Sequence, residues 1–128
     1  ILANMVYDRY QNTYVEDSNF YYLQQGVYTD QKSIDNIAAS YITIQEEDKY
    51  YTYLGMTTDR EIAEKIKKMY EKEGIPVYIK GGKTSNQEFL TELEQYDVLL
   101  KATEDYQETK TILETILSTY EETVQEDT

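Results

Sequence analysis

Cysteine and histidine are both absent from this chain of 128 residues. Without Cys there is no disulfide framework, no thiolate nucleophile and no Cys-ligated zinc. Without His, the usual near-neutral proton carrier and the commonest metal ligand are missing as well. The catalytic repertoire shrinks to carboxylates, Lys, Ser, Thr and Tyr, and the two-carboxylate chemistry of glycosidases is the one enzyme class these support well. Basic residues are scarce: 12 Lys and Arg stand against 25 Asp and Glu, a formal charge of −13. That balance argues against a phosphate backbone as partner, because neutralising phosphates takes clustered Lys and Arg, and it disfavours an anionic membrane surface. No apolar run approaches the roughly 20 residues of a membrane span.

The acidity is unevenly placed. Residues 1–17 carry a net charge of −2, and residues 18–83 have ten acids against nine bases. Residues 84–128 have twelve acids against Lys101 and Lys110, so the negative charge belongs to the C-terminal third. The chain begins at Ile1 rather than Met. "ILANMV" reads either as the last turn of a removed transmembrane or signal segment, or as an amphipathic start. Leu2, Met5, Val6, Tyr10 and Tyr14 fall near helical spacing, which predicts a helical lead-in over 1–17.

What the sequence does hold is Tyr, 15 of them. "FYYLQQGVY" reads as a strand, followed by a helix capped by Thr29 or Asp30 with Ile34, Ile37, Ala38 and Tyr41 on one face. "YITIQ", the charged turn "EEDK" and "YYTYLG" read as an antiparallel hairpin. Thr58 and Glu61 then have the spacing of a capping box for a second helix, whose stripe is Ile62, Ala63, Ile66, Met69 and Tyr70. Gly74 stands where a left-handed C-terminal cap is wanted. "IPVYIK" reads as the last strand, placed at an edge because Pro76 cannot donate to a ladder.

A shift of 29 positions lays the second strand-helix unit on the first. Tyr21 falls on Tyr50, Tyr22 on Tyr51, Gly26 on Gly55, Thr29 on Thr58, Asp30 on Asp59, Ile37 on Ile66 and Tyr41 on Tyr70. Each unit is an incomplete half that buries its apolar sides only against the other. The expected fold is therefore α+β: a β-α-β-β-α-β split arrangement over 18–82, with strands one and three central and two helices on one face of a four-stranded antiparallel sheet. Gly81-Gly82 reads as a hinge. Residues 86–125 contain neither Gly nor Pro and carry an apolar stripe from Phe89 to Val124, either one long helix or two helices breaking near Thr103–Tyr106. A packed hairpin and an exposed coiled-coil arm both satisfy the periodicity over 83–128.

Strand alternation puts Leu23, Gln25, Thr52 and Leu54 towards the helices and leaves Tyr22, Gln24, Tyr51 and Tyr53 on the other face. That face is either a second core under the C-terminal helix or a platform of rings and polar tips suited to stacking on sugars. Nucleic acid is the weaker ligand for it, since no basic rim accompanies the rings. The acids of "EEDK" read as a solvated turn rather than a cation site. Asp105 and Glu108 are a carboxylate pair with no cleft to work in. "KGGKTSN" lacks the spacing of a phosphate loop, so no cofactor is expected.

The aromatic-aromatic-aliphatic-Gln-x-Gly-x-aromatic strand with its Asp-capped helix, repeated as "YYTYLG" and "TDREIAEKI", resembles the SPOR domain, the sporulation-related repeat. The likeness covers residues 20–80, about half the chain. It implies a non-catalytic module that binds peptidoglycan glycan strands, stripped of stem peptides, at division or sporulation septa. Carried over by position, it implies glycan contacts through Gln24, Tyr51 and Tyr53, and the expected glycan site adds Tyr22, on the same face by alternation, and Tyr28 at the end of the first strand. The "QGVY" and "YLGMTTD" segments look most like those of Gram-positive endospore formers, in membrane-anchored proteins of the stage II sporulation protein B type. In those the module lies outside the membrane, which here implies an anchor upstream of residue 1. The chain departs from the family at Val27, where a small hydroxyl residue is common, and at Lys49, where many members have Trp. Gln25 and Thr52 are polar at usually apolar positions. A reading of another class makes the aromatic face and acidic C-terminal helix a docking surface for a septal protein partner.

Overall fold

The computed structural model describes residues 17–125, so the helical lead-in expected over 1–17 lies outside the described residues apart from Asp17. Four strands, β1 (Phe20–Tyr28), β2 (Ile42–Glu46), β3 (Lys49–Thr57) and β4 (Tyr78–Gly82), form one sheet. Their order is β2-β3-β1-β4 and every pairing is antiparallel. The expected α+β topology is present, with strands one and three central and β4 at an edge. Three α-helices accompany the sheet: α1 (Arg60–Glu71), α2 (Gln87–Ala102) and α3 (Tyr106–Tyr120), the last continued by a π-helical turn over Glu121–Gln125.

The repeat is realised in the central pair. Gln24 and Tyr53, which are 29 positions apart, are direct cross-strand partners. The pseudo-twofold axis relating the two halves therefore passes between these two residues. Asp30 and Asp59 cap in both copies: Asp30 accepts from the Lys32 N–H, and Asp59 accepts from those of Glu61 and Ile62. The capping box expected from Thr58 is corrected by one residue, because Asp59 holds the N-cap position.

The first helix is also corrected. Between β1 and β2 the chain makes only a six-residue 3-10 helix, Gln31–Asn36, where the second copy makes twelve residues of α-helix. Ser33, Asn36 and Ser40 are of types that favour turns and caps over a helix interior. The matching stretch "REIAEKIKKMYE" is built from strong helix formers. Gly74 adopts φ +81°, as its place after α1 requires, and the Ile75 N–H bonds back to the Tyr70 carbonyl.

β4 begins at Tyr78, three residues later than the apolar run suggests, since Pro76 cannot join the ladder. Ile75 and Val77 are buried on the approach to it. Gly81 and Gly82 are not a hinge; they pair with Tyr21 and Phe20. A Cβ on Gly82 would stand 2.7 Å from the rings of Phe20 and Tyr22, so the bare backbone is what admits those rings.

The C-terminal segment is a helical hairpin packed into the same core as the sheet. Phe89, Leu93, Leu100, Leu113, Ile116, Leu117 and Tyr120 join Phe20, Leu23, Tyr53, Leu54 and Met56 in one hydrophobic cluster. The break falls at Thr103, whose hydroxyl donates to Glu108 at 2.6 Å while Asp105 caps α3 through the Glu108 N–H. α3 packs on β3, where a Cβ on Gly55 would meet Leu113 at 2.6 Å. Its first residue, Tyr106, meets Tyr70 of α1 edge-on at 5.2 Å, and its last, Tyr120, meets Tyr22 at 6.0 Å.

Candidate functional site

β1 and β3 bring Tyr22 and Tyr53 together as a stacked pair, 4.4 Å between centroids. Phe20 adds an edge-on contact with Tyr22 at 4.8 Å, and Phe89 and Tyr120 complete the aromatic cluster from the hairpin. The Tyr22 and Tyr120 hydroxyls share a hydrogen bond of 3.0 Å. Lys80 enters from β4, directly opposite Tyr22 in the ladder. Its ammonium donates to the Tyr53 hydroxyl at 2.9 Å and lies 4.3 Å above the Tyr51 ring and 5.5 Å from that of Tyr53. An open pocket of about 510 Å³ is lined by Tyr22, Tyr53, Lys80 and Tyr120, with Gln45 and Glu46 among the polar residues at its side.

The structure distributes the five sequence-predicted residues unevenly. Tyr22, Tyr51 and Tyr53 gather around Lys80. Tyr53 is only 1% exposed, so it forms the floor rather than a stacking platform. The expectation that Gln24 presents its amide at an open face is corrected, for Gln24 is 4% exposed. Its cross-strand neighbours are Tyr53 on one side and Tyr78 on the other. Tyr28 stands apart, its hydroxyl donating to the Gln25 side-chain oxygen at 2.6 Å. That oxygen also accepts from the Thr52 hydroxyl at 2.9 Å. The two polar residues at usually apolar positions therefore satisfy each other, which burial of Thr52 requires.

Lys80, Tyr120 and Glu46 are the residues that sequence reasoning missed. Lys80 shares its face of β4 with the exposed Tyr78 and alternates with Ile79, a signal that was legible once β4 was paired to β1. Tyr120 carried only its helical stripe, and nothing local connects it to Tyr22, 98 positions away. Glu46 belongs to the acids read as a solvated turn. It is exposed, with Glu47 beside it in the left-handed region at φ 56°. Among the described residues no group of acids could hold a metal ion, and no helix is long and apolar enough to cross a membrane.

Burial sets the titration of this cluster. Desolvation, then the Tyr120 hydroxyl, pushes the Tyr22 phenol well above its ordinary value of 10.0. Tyr70 is pushed up likewise by desolvation and then by Tyr106. Lys80 moves down, because desolvation of the ammonium outweighs the attraction of Glu46. The signs give a prediction. A phenol held neutral by the fold contributes stability that is complete below the unfolded value near 10 and is lost as pH rises beyond it. Lys80 acts oppositely, its penalty easing as pH climbs from its lowered folded value towards the ordinary one. In a base titration, tyrosinate absorbance should therefore rise in two steps, the second coinciding with loss of the circular dichroism of the fold. A single step with the fold intact would contradict the burial of Tyr22 and Tyr70.

No family model matches the chain, and no curated protein or solved structure does either. The fold and pocket define the class directly: an α+β domain with a split antiparallel sheet and an aromatic pocket beside its central strands.

Proposed function

We propose that this chain is a non-catalytic module that binds peptidoglycan glycan strands and so holds a protein at a division or sporulation septum. The observation that carries the reading is the pocket itself. Rings, hydroxyls, an amide and one ammonium line a single opening, the mixture that an amphipathic sugar ring asks of a binding site. The resemblance of residues 20–80 to the SPOR domain supports the same ligand. The same resemblance implies an extracytoplasmic, membrane-anchored setting, which stays with the proposal.

Sedimentation with purified sacculi, with and without amidase stripping, tests the reading. Co-sedimentation that increases after stripping is the expected result, and none with either preparation sinks the proposal. Gln45 lines the pocket and is exposed, so Gln45→Ala should weaken binding while moving stability by no more than about 0.5 kcal/mol. Gln24→Ala is the wrong probe, since a buried residue between two Tyr partners reports packing.

A second reading, docking of a septal protein on the acidic hairpin, has one observation in its favour. Val98 and Leu99 on α2 are 68% and 52% exposed, side by side on the solvent face of a helix whose buried residues are Phe89, Leu93, Asp97 and Leu100. Loss of a cross-linked partner on Val98→Lys, with sacculus binding unchanged, would favour it.

A further inference from the structure

The ion pairs among the described residues are Arg60–Glu64 and Lys65–Glu104, and neither uses Lys80. In a chain of net charge −13, a half-buried ammonium at the wall of a pocket is thus left with a neutral hydroxyl and two ring faces. An ammonium has three N–H donors, and the Tyr53 hydroxyl takes one of them. Ring faces hold a cation by their quadrupole but do not replace a hydrogen-bond acceptor. The nearest acid influence is Glu46, which lines the same pocket from β2 without reaching ion-pair distance.

We propose that Lys80 is the anchor for a carboxylate carried by the saccharide, so that the pocket selects acidic over neutral sugars. The inference rests on the glycan reading and deepens it by naming the ligand's charge. A carboxylate entering from the open side meets the ammonium while its sugar ring lies towards Tyr22 and Tyr120. It accepts from N–H donors that the Tyr53 hydroxyl leaves unused, adds an ion pair, and offsets the desolvation that Lys80 bears. Glu46 acts against the same ligand by like charge. The two residues therefore have opposite effects on affinity, a signature that a purely structural Lys80 would not produce.

The test uses the full chain and two forms of one probe, titrated by calorimetry. The first is a short peptide-free glycan strand bearing its muramic carboxylates, and the second is the same strand with those carboxyls reduced to alcohols. Wild-type protein should bind the acid form about tenfold more tightly, the worth of one charge-assisted bond. Lys80→Met should bring that ratio to about one, Lys80→Arg should keep most of it, and Glu46→Gln should raise it. Thermal transitions of the variants identify any that fail to fold, and the exposed Glu46→Gln keeps the question open to decision in that case. Equal affinity for the two forms in wild-type protein, or a preference that survives Lys80→Met, overturns the carboxylate anchor and leaves glycan binding standing. Absence of binding to either form overturns both.

Discussion

Replacing Asp97 with Ala should lower the stability of the domain by about 3 kcal/mol, the scale of losing hydrogen bonds to a buried charged acceptor. Asp97 is 7% exposed on α2, within the apolar stripe of that helix. One of its carboxylate oxygens accepts from the Thr57 hydroxyl at 2.5 Å. The other accepts from the Thr58 hydroxyl at 2.5 Å and the Thr58 N–H at 3.0 Å. These bonds join the hairpin to the junction of β3 and α1, where Thr57 in turn accepts from the Asp59 N–H. Removing the carboxylate leaves the Thr58 N–H and two hydroxyls without their acceptor, at the point where Asp59 must be held to cap α1. For a chain of this size the loss corresponds to a fall of about 10 °C in the midpoint of thermal unfolding. Asp97→Asn keeps the shape and one acceptor oxygen, and its cost should lie between wild type and Ala. A loss below about 1 kcal/mol for Asp97→Ala would show that the junction is held by other contacts.

Phe89→Ala should cost about 3–5 kcal/mol, the range for emptying a fully buried aromatic site. Phe89 has no accessible surface and meets Phe20 at 5.7 Å and Tyr120 at 5.4 Å, both edge-on. It therefore couples the first turn of α2, the last of α3 and the start of β1. Unfolding should remain one cooperative transition shifted to lower denaturant, because the hairpin and sheet share one core. Two separate transitions, or an unchanged sheet transition, would mean that the hairpin behaves as an arm. A secondary consequence concerns the pocket: Tyr120 would lose its support, so ligand binding should weaken in the folded fraction of the variant as well.

These two residues illustrate how unevenly the molecule was legible. Phe89 was visible as the first member of an apolar stripe, and its burial is what that periodicity implies. Asp97 was not visible. A carboxylate inside an apolar stripe reads as an interruption until Thr57 and Thr58, 40 and 39 positions earlier, are brought against it. The same holds within the site. Alternation correctly grouped Tyr22, Tyr51 and Tyr53, yet could not tell a floor from a platform, because exposure depends on which helix arrives above. It put Gln24 beside them but could not give its burial, which is set by the packed fold.

Local physics therefore determined the parts of this protein that depend on neighbours in the chain. The four strands, the edge position of β4, the left-handed Gly74 and the 29-residue repeat all follow from backbone propensity and period. Tertiary structure alone decided whether the acidic C-terminal third was an arm or a hairpin in the core, since both have the same helical stripe. It also decided that Lys80 and Tyr120 join Tyr22 and Tyr53 around one pocket. Side chains separated by tens of residues meet only through the sheet register and the docking of α3, and no local pattern encodes either. The aromatic strand at residue 20 thus specified its own pairing with the copy at residue 50, while what its rings face was settled by residues far along the chain.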